Sequence, residues 1–180
     1  MRSLVKATTV VAAVGVILFL GMPGEAQEAT TTQQSPESKV LDRELGNWLH
    51  TYTHLKAEWT PSQTQGTLTG SCTRILGGRF VQGKLKAPDG QTFLQLDTYD
   101  AQRKCYRRWL FQSNGQTSEH IGKWNPDAKT MTWTHSVGDD LTCTQVDRYL
   151  DADTLEFNVV IKDPDGKVYY HMKGKSVRPE

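Results

Sequence analysis

The chain lacks an excess of either charge, a cysteine framework and any catalytic signature, and each absence removes a class of function. Its 21 Lys and Arg against 20 Asp and Glu leave a net charge of +1. Binders of nucleic acid or anionic membranes usually carry a basic excess or stripe, so neither is expected as a partner. The one basic cluster, Arg103, Lys104, Arg107 and Arg108, reads as a solvated strand face. Three cysteines, Cys72, Cys105 and Cys143, permit at most one intrachain disulfide and leave one thiol free, and spacing does not choose the pair. With no CxxC or CxxH, neither a zinc site nor a redox motif is expected. HExxH, GxSxG and a phosphate loop are all missing. Glu119-His120 and Asp139-Asp140 are adjacent pairs whose side chains diverge on a strand or sit in a turn, which suits them poorly to acid–base work. Cys105 has no identifiable histidine to activate it as a nucleophile. The expectation is a protein that is not an enzyme and that uses neither metal nor cofactor.

Long apolar runs are scarce too. The single one, Val10 to Leu20, lies behind Arg2 and Lys6 and ahead of Gly24-Glu25-Ala26, which is the order of a secretory signal. Residues 1–26 are therefore expected to be a signal peptide, cleaved after Ala26, that sends the protein to the periplasm or the exterior. The run is shorter than the roughly 20 residues that span a bilayer. A retained anchor is the alternative, and no membrane association is expected after cleavage. No cysteine stands at the cleavage point to take a lipid. Residues 27–34, rich in Thr and Gln, read as a flexible tether. Residues 35–180 make one domain by length.

No proline interrupts a candidate strand, and that absence leaves a long meander intact. After a short helix with Ser35 as N-cap, Pro36 in its first turn and Gly46 beyond its end, the period changes to two. Candidate strands run 48–59, 67–76, 79–86, 91–98, 104–112, 117–124, 130–137, 141–150, 154–162 and 168–177. Between them lie Gly77-Gly78, Pro88-Asp89-Gly90, Asn114-Gly115, Asn125-Pro126-Asp127, Gly138-Asp139 and Pro164-Asp165-Gly166, which supply the backbone angles of tight turns. Met131, Trp133, His135 and Val137 share one face of their strand; Leu155, Phe157, Val159 and Ile161 share another, and Val168, Tyr170 and Met172 a third. About ten one-faced strands without helices to cover them predict an all-β, antiparallel up-and-down barrel; a two-sheet sandwich is the competitor.

Gly46-Asn47-Trp48, at the start of the first strand behind a short helix, resembles the Gly-x-Trp signature of lipocalin-type (calycin) barrels. That resemblance implies that Arg178, late in the last strand, packs across Trp48 and closes the barrel floor. A more extensive likeness is carried by Arg74-Ile75-Leu76-Gly77-Gly78-Arg79-Phe80-Val81, Tyr99-Asp100, Gly122-Lys123-Trp124 and Asp165-Gly166-Lys167. These strings resemble exported bacterial proteins of the domain-of-unknown-function family numbered 1579, from Leu41 to Arg178. The family implies a lipocalin-like barrel and brings no established activity. The chain departs from typical lipocalins in lacking a helix after the last strand, and from fatty-acid-binding proteins in lacking a helical pair between the first two. Some calycin-like barrels bind haem through a late histidine, but His171, the late one here, has outward parity.

If Trp48 points inward, so do His50, Tyr52 and His54. With Met131, Trp133, His135, Phe157, Tyr170 and Met172 they would line a lumen suited to a small hydrophobic molecule held by a few polar groups. Polar groups that satisfy one another inside a filled core are the alternative, which would leave the exterior to bind a protein partner that the sequence does not name. A weak enzyme or haem protein is the remaining reading. His50 and His54 lie about 13 Å apart on a strand and cannot share a metal; either would have to meet His135 across the lumen.

Overall fold

The computed structural model describes residues 34–179. The expected signal segment and residues 27–33 of the expected tether lie outside the described residues. The N-terminal helix α1 (Pro36–Val40) runs straight into a 3-10 turn at Leu41–Glu44. Ser35 Oγ accepts from the Ser38 amide and Pro36 opens the helix, as the N-terminal signals require.

Ten strands follow: β1 (Gly46–Leu55), β2 (Thr64–Ile75), β3 (Phe80–Lys86), β4 (Thr92–Asp100), β5 (Cys105–Gln112), β6 (Thr117–Asn125), β7 (Thr130–Val137), β8 (Leu141–Tyr149), β9 (Thr154–Lys162) and β10 (Val168–Val177). Each pairs antiparallel with its neighbour in sequence, and β10 pairs with β1 to close the barrel. Closure leaves no sheet edge unpaired. The first expected strand was too long at its C-terminal end: β1 stops at Leu55, and Trp59 lies in the following loop, where its amide donates to the Tyr169 carbonyl at 2.8 Å.

The barrel has a closed end and an open one. Turns after β2, β4, β6 and β8 lie at the closed end with α1; turns after β1, β3, β5, β7 and β9 lie at the other. Leu41 from the 3-10 turn is fully buried among Val81, Tyr106, Met131, Trp133 and Tyr149, with Val40 and Leu45 packed against the same cluster. The helix thus stops the barrel like a plug. The Tyr106 hydroxyl donates to the Glu37 carbonyl at 3.0 Å, and Arg74 reaches the Ser38 carbonyl at 2.6 Å and Asp42 at 2.7 Å. Gly122 is small because Trp133 lies over it: a Cβ there would stand 2.6 Å from the indole. Gly46, at φ 99°, takes a backbone angle that favours glycine and gives way to the Arg178 guanidinium.

Two expectations about facing fail. The expected Val168, Tyr170 and Met172 set is broken by a bulge between Val168 and Tyr170, which turns Val168 outward opposite Lys162 while Tyr170 and Met172 stay inside. The basic cluster does not form one solvated face either. Arg107 and Arg108 are adjacent and must point to opposite sides. Arg107 pairs outside with Glu119, whereas Arg108 is buried inside.

Candidate functional site: the barrel lumen

Above the plug the interior is hollow. A cavity of about 460 Å³ is lined by residues from every strand but β7 and reaches the 87–91 turn at the open end. A wider concavity of about 1130 Å³ lies over β8, β9, β10, β1 and β2, among outward side chains such as Thr51, Arg148, Asn158 and Lys175. The interior cavity is the better candidate, because the buried titratable groups converge there and walls surround it.

The expected residues divide between cavity and core. Trp48, His50, Tyr52, His54, Phe157, Tyr170 and Met172 line the cavity. Met131 and Trp133 point inward but lie beneath it, fully packed against Leu41, because the helix fills the space they would have faced. His135 shares the inward face of β7 but is not among the cavity-lining residues; its ring centroid lies 4.0 Å from that of His120. Trp48 donates its indole N–H to the Glu44 carbonyl at 2.8 Å. The Arg178 guanidinium carbon lies 4.3 Å from the Trp48 ring centroid, and the same group donates to the Leu45, Arg43 and Ala152 carbonyls. His171 points out, to Asn158 at 2.8 Å.

The floor of the cavity is a polar layer that the sequence reading missed. Arg108 from β5 donates Nε and Nη2 to the two oxygens of Asp97 on β4, both at 2.9 Å, and Nη2 also to Glu44 of the 3-10 turn at 3.0 Å. Its Nη1 lies 3.8 Å from Asp147 of β8. Trp133 and Gln145 donate to Asp147 at 3.1 and 2.8 Å, and Gln95 to Asp97 at 2.7 Å. The guanidinium also stacks 4.0 Å above the Trp133 ring. Burial holds the Glu44 carboxyl well above the ordinary range, with Asp97 adding to the effect, and burial likewise raises Asp147. Loss of solvation opposes the Arg108 charge, but Asp97 and Glu44 outweigh it, so the guanidinium is held charged.

Two histidines around this layer are disfavoured as cations. Burial lowers His50 to about 4 and His120 to about 3, with His135 and Arg108 adding to the effect at His120. His50 Nδ1 and the Ser176 hydroxyl lie 2.7 Å apart, His54 Nδ1 and the Tyr170 hydroxyl 2.9 Å, and His120 Nε2 and the Ser118 hydroxyl 2.8 Å. A Ser–His pair becomes a nucleophile when a third group orients the base. Here Ser176 is fully buried, and His120 Nδ1 has no partner at all. The thiols of Cys72 and Cys143 are pushed up by burial to about 12 and about 11, and with Cys105 they are unpaired. Among the described residues no group of three or more His, Cys, Asp or Glu is arranged to hold a metal, and no helix is long and apolar enough to cross a membrane.

Parity alone placed Arg108 and His120 on one side of their strands. The missing signal was the sign of that side, since β5 and β6 carry apolar residues on both faces.

A barrel meander stopped by an N-terminal helix and clasped by Trp48 and Arg178 is a lipocalin-like architecture. The chain belongs to the family described as a protein of unknown function (DUF1579), whose model matches residues 33–178. Among solved structures, Rv2717c from M. tuberculosis is similar at TM-score 0.59 and 14% identity, covering 81% of this chain and 99% of its own. The S-type phycobiliprotein lyase CPES from Guillardia theta is similar at TM-score 0.53 and 12% identity, covering 83% of this chain and 96% of its own. At these identities the likeness shows the fold alone. No curated protein is significantly similar to the chain.

Proposed function

We propose that the chain is a non-catalytic binding module that holds a small, mostly apolar molecule in the barrel lumen, and that it works outside the cytoplasm after loss of residues 1–26. The observation that carries this reading is the cavity of about 460 Å³ inside a closed barrel, walled by Phe93, Leu110, Phe157 and Met172 with a few converging polar groups. Its size and mixed lining are those of a small-molecule site. Export rests on the charged, apolar and small-residue segments of the N-terminus. One protein of the same fold is named a lyase, so the fold by itself does not choose between holding a ligand and transforming it. Binding is favoured by the buried Ser176, the unpartnered Nδ1 of His120 and the raised thiols, which supply no activated nucleophile.

Titration with N-phenyl-1-naphthylamine, a neutral apolar reporter, tests the reading. One saturable site, lost when Gly70→Trp fills the lumen, supports it; no saturable uptake overturns it. An interaction role for the exterior has one observation in its favour. Leu94 and Leu96 of β4 lie opposite Phe111 and Trp109 of β5 on the outer face, and Phe111 is 39% exposed. A protein partner lost on Phe111→Ser, from a barrel that takes up no reporter, would move the function there.

A further inference from the structure

The surroundings of His50 fix which of its ring nitrogens carries the proton. Nδ1 lies 2.7 Å from the Ser176 hydroxyl, and Ser176 is fully buried. That hydroxyl has one hydrogen to give, water does not reach it, and among the described residues its side chain meets no hydrogen-bonding group other than His50. With the imidazole proton on Nδ1, the hydroxyl hydrogen would be buried without an acceptor, an arrangement that folded proteins avoid. Ser176 therefore donates and Nδ1 accepts. A neutral imidazole has one N–H, which leaves it on Nε2. Burial lowers His50 to about 4, so the ring is in this neutral form near pH 7.

The Nε2–H faces the cavity. His50 and Gly70 both line it, and a Cβ at position 70 would stand 3.0 Å from Nε2, so the glycine keeps the space in front of that nitrogen clear. Nε2 has no partner among the described residues, and unlike the sealed Nδ1 of His120 it is open to the lumen. The wall around it is apolar. Leu68 is paired with His50 across β1 and β2, Leu85 with Gly70 across β2 and β3, and Leu155 with Ser176 across β9 and β10, and all three leucines line the cavity. One oriented donor on an apolar wall recognises an acceptor on an apolar body. The neutral ring brings no charge to balance an anion in this desolvated space.

We propose that His50 sets the specificity of the lumen: its Nε2–H donates to the carbonyl oxygen of an uncharged ligand, a ketone, ester or amide, whose apolar body packs on Leu68, Leu85 and Leu155. The proposal rests on the reading of the lumen as a binding site and goes further in naming the group recognised and the atom that recognises it.

Benzophenone and 1,1-diphenylethylene have one shape and differ in whether oxygen or a methylene ends the double bond, so together they isolate the acceptor. Each is used to displace N-phenyl-1-naphthylamine from the purified protein and from His50→Leu at pH 7. The ratio of the hydrocarbon's half-displacing concentration to the ketone's is compared between the two proteins, which cancels the difference in hydration of the probes. It should be about fivefold higher in the parent, the effect of one hydrogen bond. Equal ratios overturn the proposal and leave the binding reading standing, whereas failure of the reporter to bind overturns both. Long-range proton–nitrogen correlation spectra of the parent read the tautomer without any variant. The Nε2–H form of His50 is expected in the free protein, with its resonance shifted when benzophenone is added. An Nδ1–H form, or a resonance that benzophenone leaves in place, overturns the proposal even where His50→Leu does not fold.

Discussion

Around the Leu41 plug the barrel is packed, and above the layer formed by Glu44, Asp97, Arg108 and Asp147 it is hollow. The strands are the same ten and their alternation is the same, so the difference comes from the helix. Leu41, with Val40 and Leu45 beside it, completes a packed core with Met131, Trp133 and Tyr149. Among the described residues no element enters the upper half, and Tyr52, Phe93, Phe157 and Met172 face open space instead of one another. Stability is therefore concentrated beneath the polar layer, and the upper walls are free to be shaped by what they hold.

Substitutions should cost most below the layer. Trp133→Ala removes a fully buried indole from the core and a donor from Asp147, and should cost about 3–5 kcal/mol in urea unfolding. A loss near 1 kcal/mol would mean that the lower half is not the packed half. Arg108→Met strips the layer of its one cation and should cost about 3 kcal/mol at pH 7. The penalty should shrink towards pH 5 as the abandoned carboxyls take up protons; a penalty that grows on acidification would contradict the arrangement.

The histidines of the hollow half give a smaller effect with a definite sign. His50 and His120 are lowered from 6.5 to about 4 and about 3, so below pH 6.5 the unfolded chain binds protons that the folded chain refuses. Stability falls as the pH drops through that window, by about 1 kcal/mol per ring at pH 5.5. Glu44 and Asp147, held above the ordinary carboxylate range, work in the opposite sense, because the folded state takes up their protons first. The imidazole part is isolated by comparing thermal unfolding at pH 7 and 5.5 with that of His50→Gln. The variant should lose about 1 kcal/mol less on acidification than the parent, and an equal loss would show that His50 is not desolvated. Smallest of all, Phe93→Ala on the cavity wall should cost about 1 kcal/mol or less, since one side of the ring already faces space. It should weaken reporter binding severalfold. A cost like that of Trp133→Ala would erase the contrast between the halves.

Strand positions and closure were legible because Gly, Pro, Asn and Asp punctuate the chain at hairpin intervals, and β7, β9 and β10 match their expected ranges. The inward face was legible only where apolar residues keep to one parity. On β4 they do not: Leu94 and Leu96 lie outside, while Gln95 and Asp97 are inside. Phe93 and Tyr99 inside balance Leu94 and Leu96 outside, so a count of apolar alternation does not choose the face. Arg108 looked solvated because its neighbours are basic, although neighbours on a strand face opposite ways. Glu44 gave no signal at all, since a carboxylate in a short helical turn is ordinarily at the surface and becomes a floor group only when that turn plugs a barrel. Tyr170 and Met172 were placed inside, but Val168 was not separable from them without the bulge.

The plug also fixes a direction. Gln34, the first described residue, donates to the Gly78 carbonyl in the turn after β2, and Arg178, just beyond β10, donates to the Arg43 and Leu45 carbonyls. Both ends of the described chain thus leave from the sealed pole, opposite the 87–91 turn. A protein attached through either end would keep its opening at the pole opposite the attachment, so traffic in and out would not compete with the point of attachment.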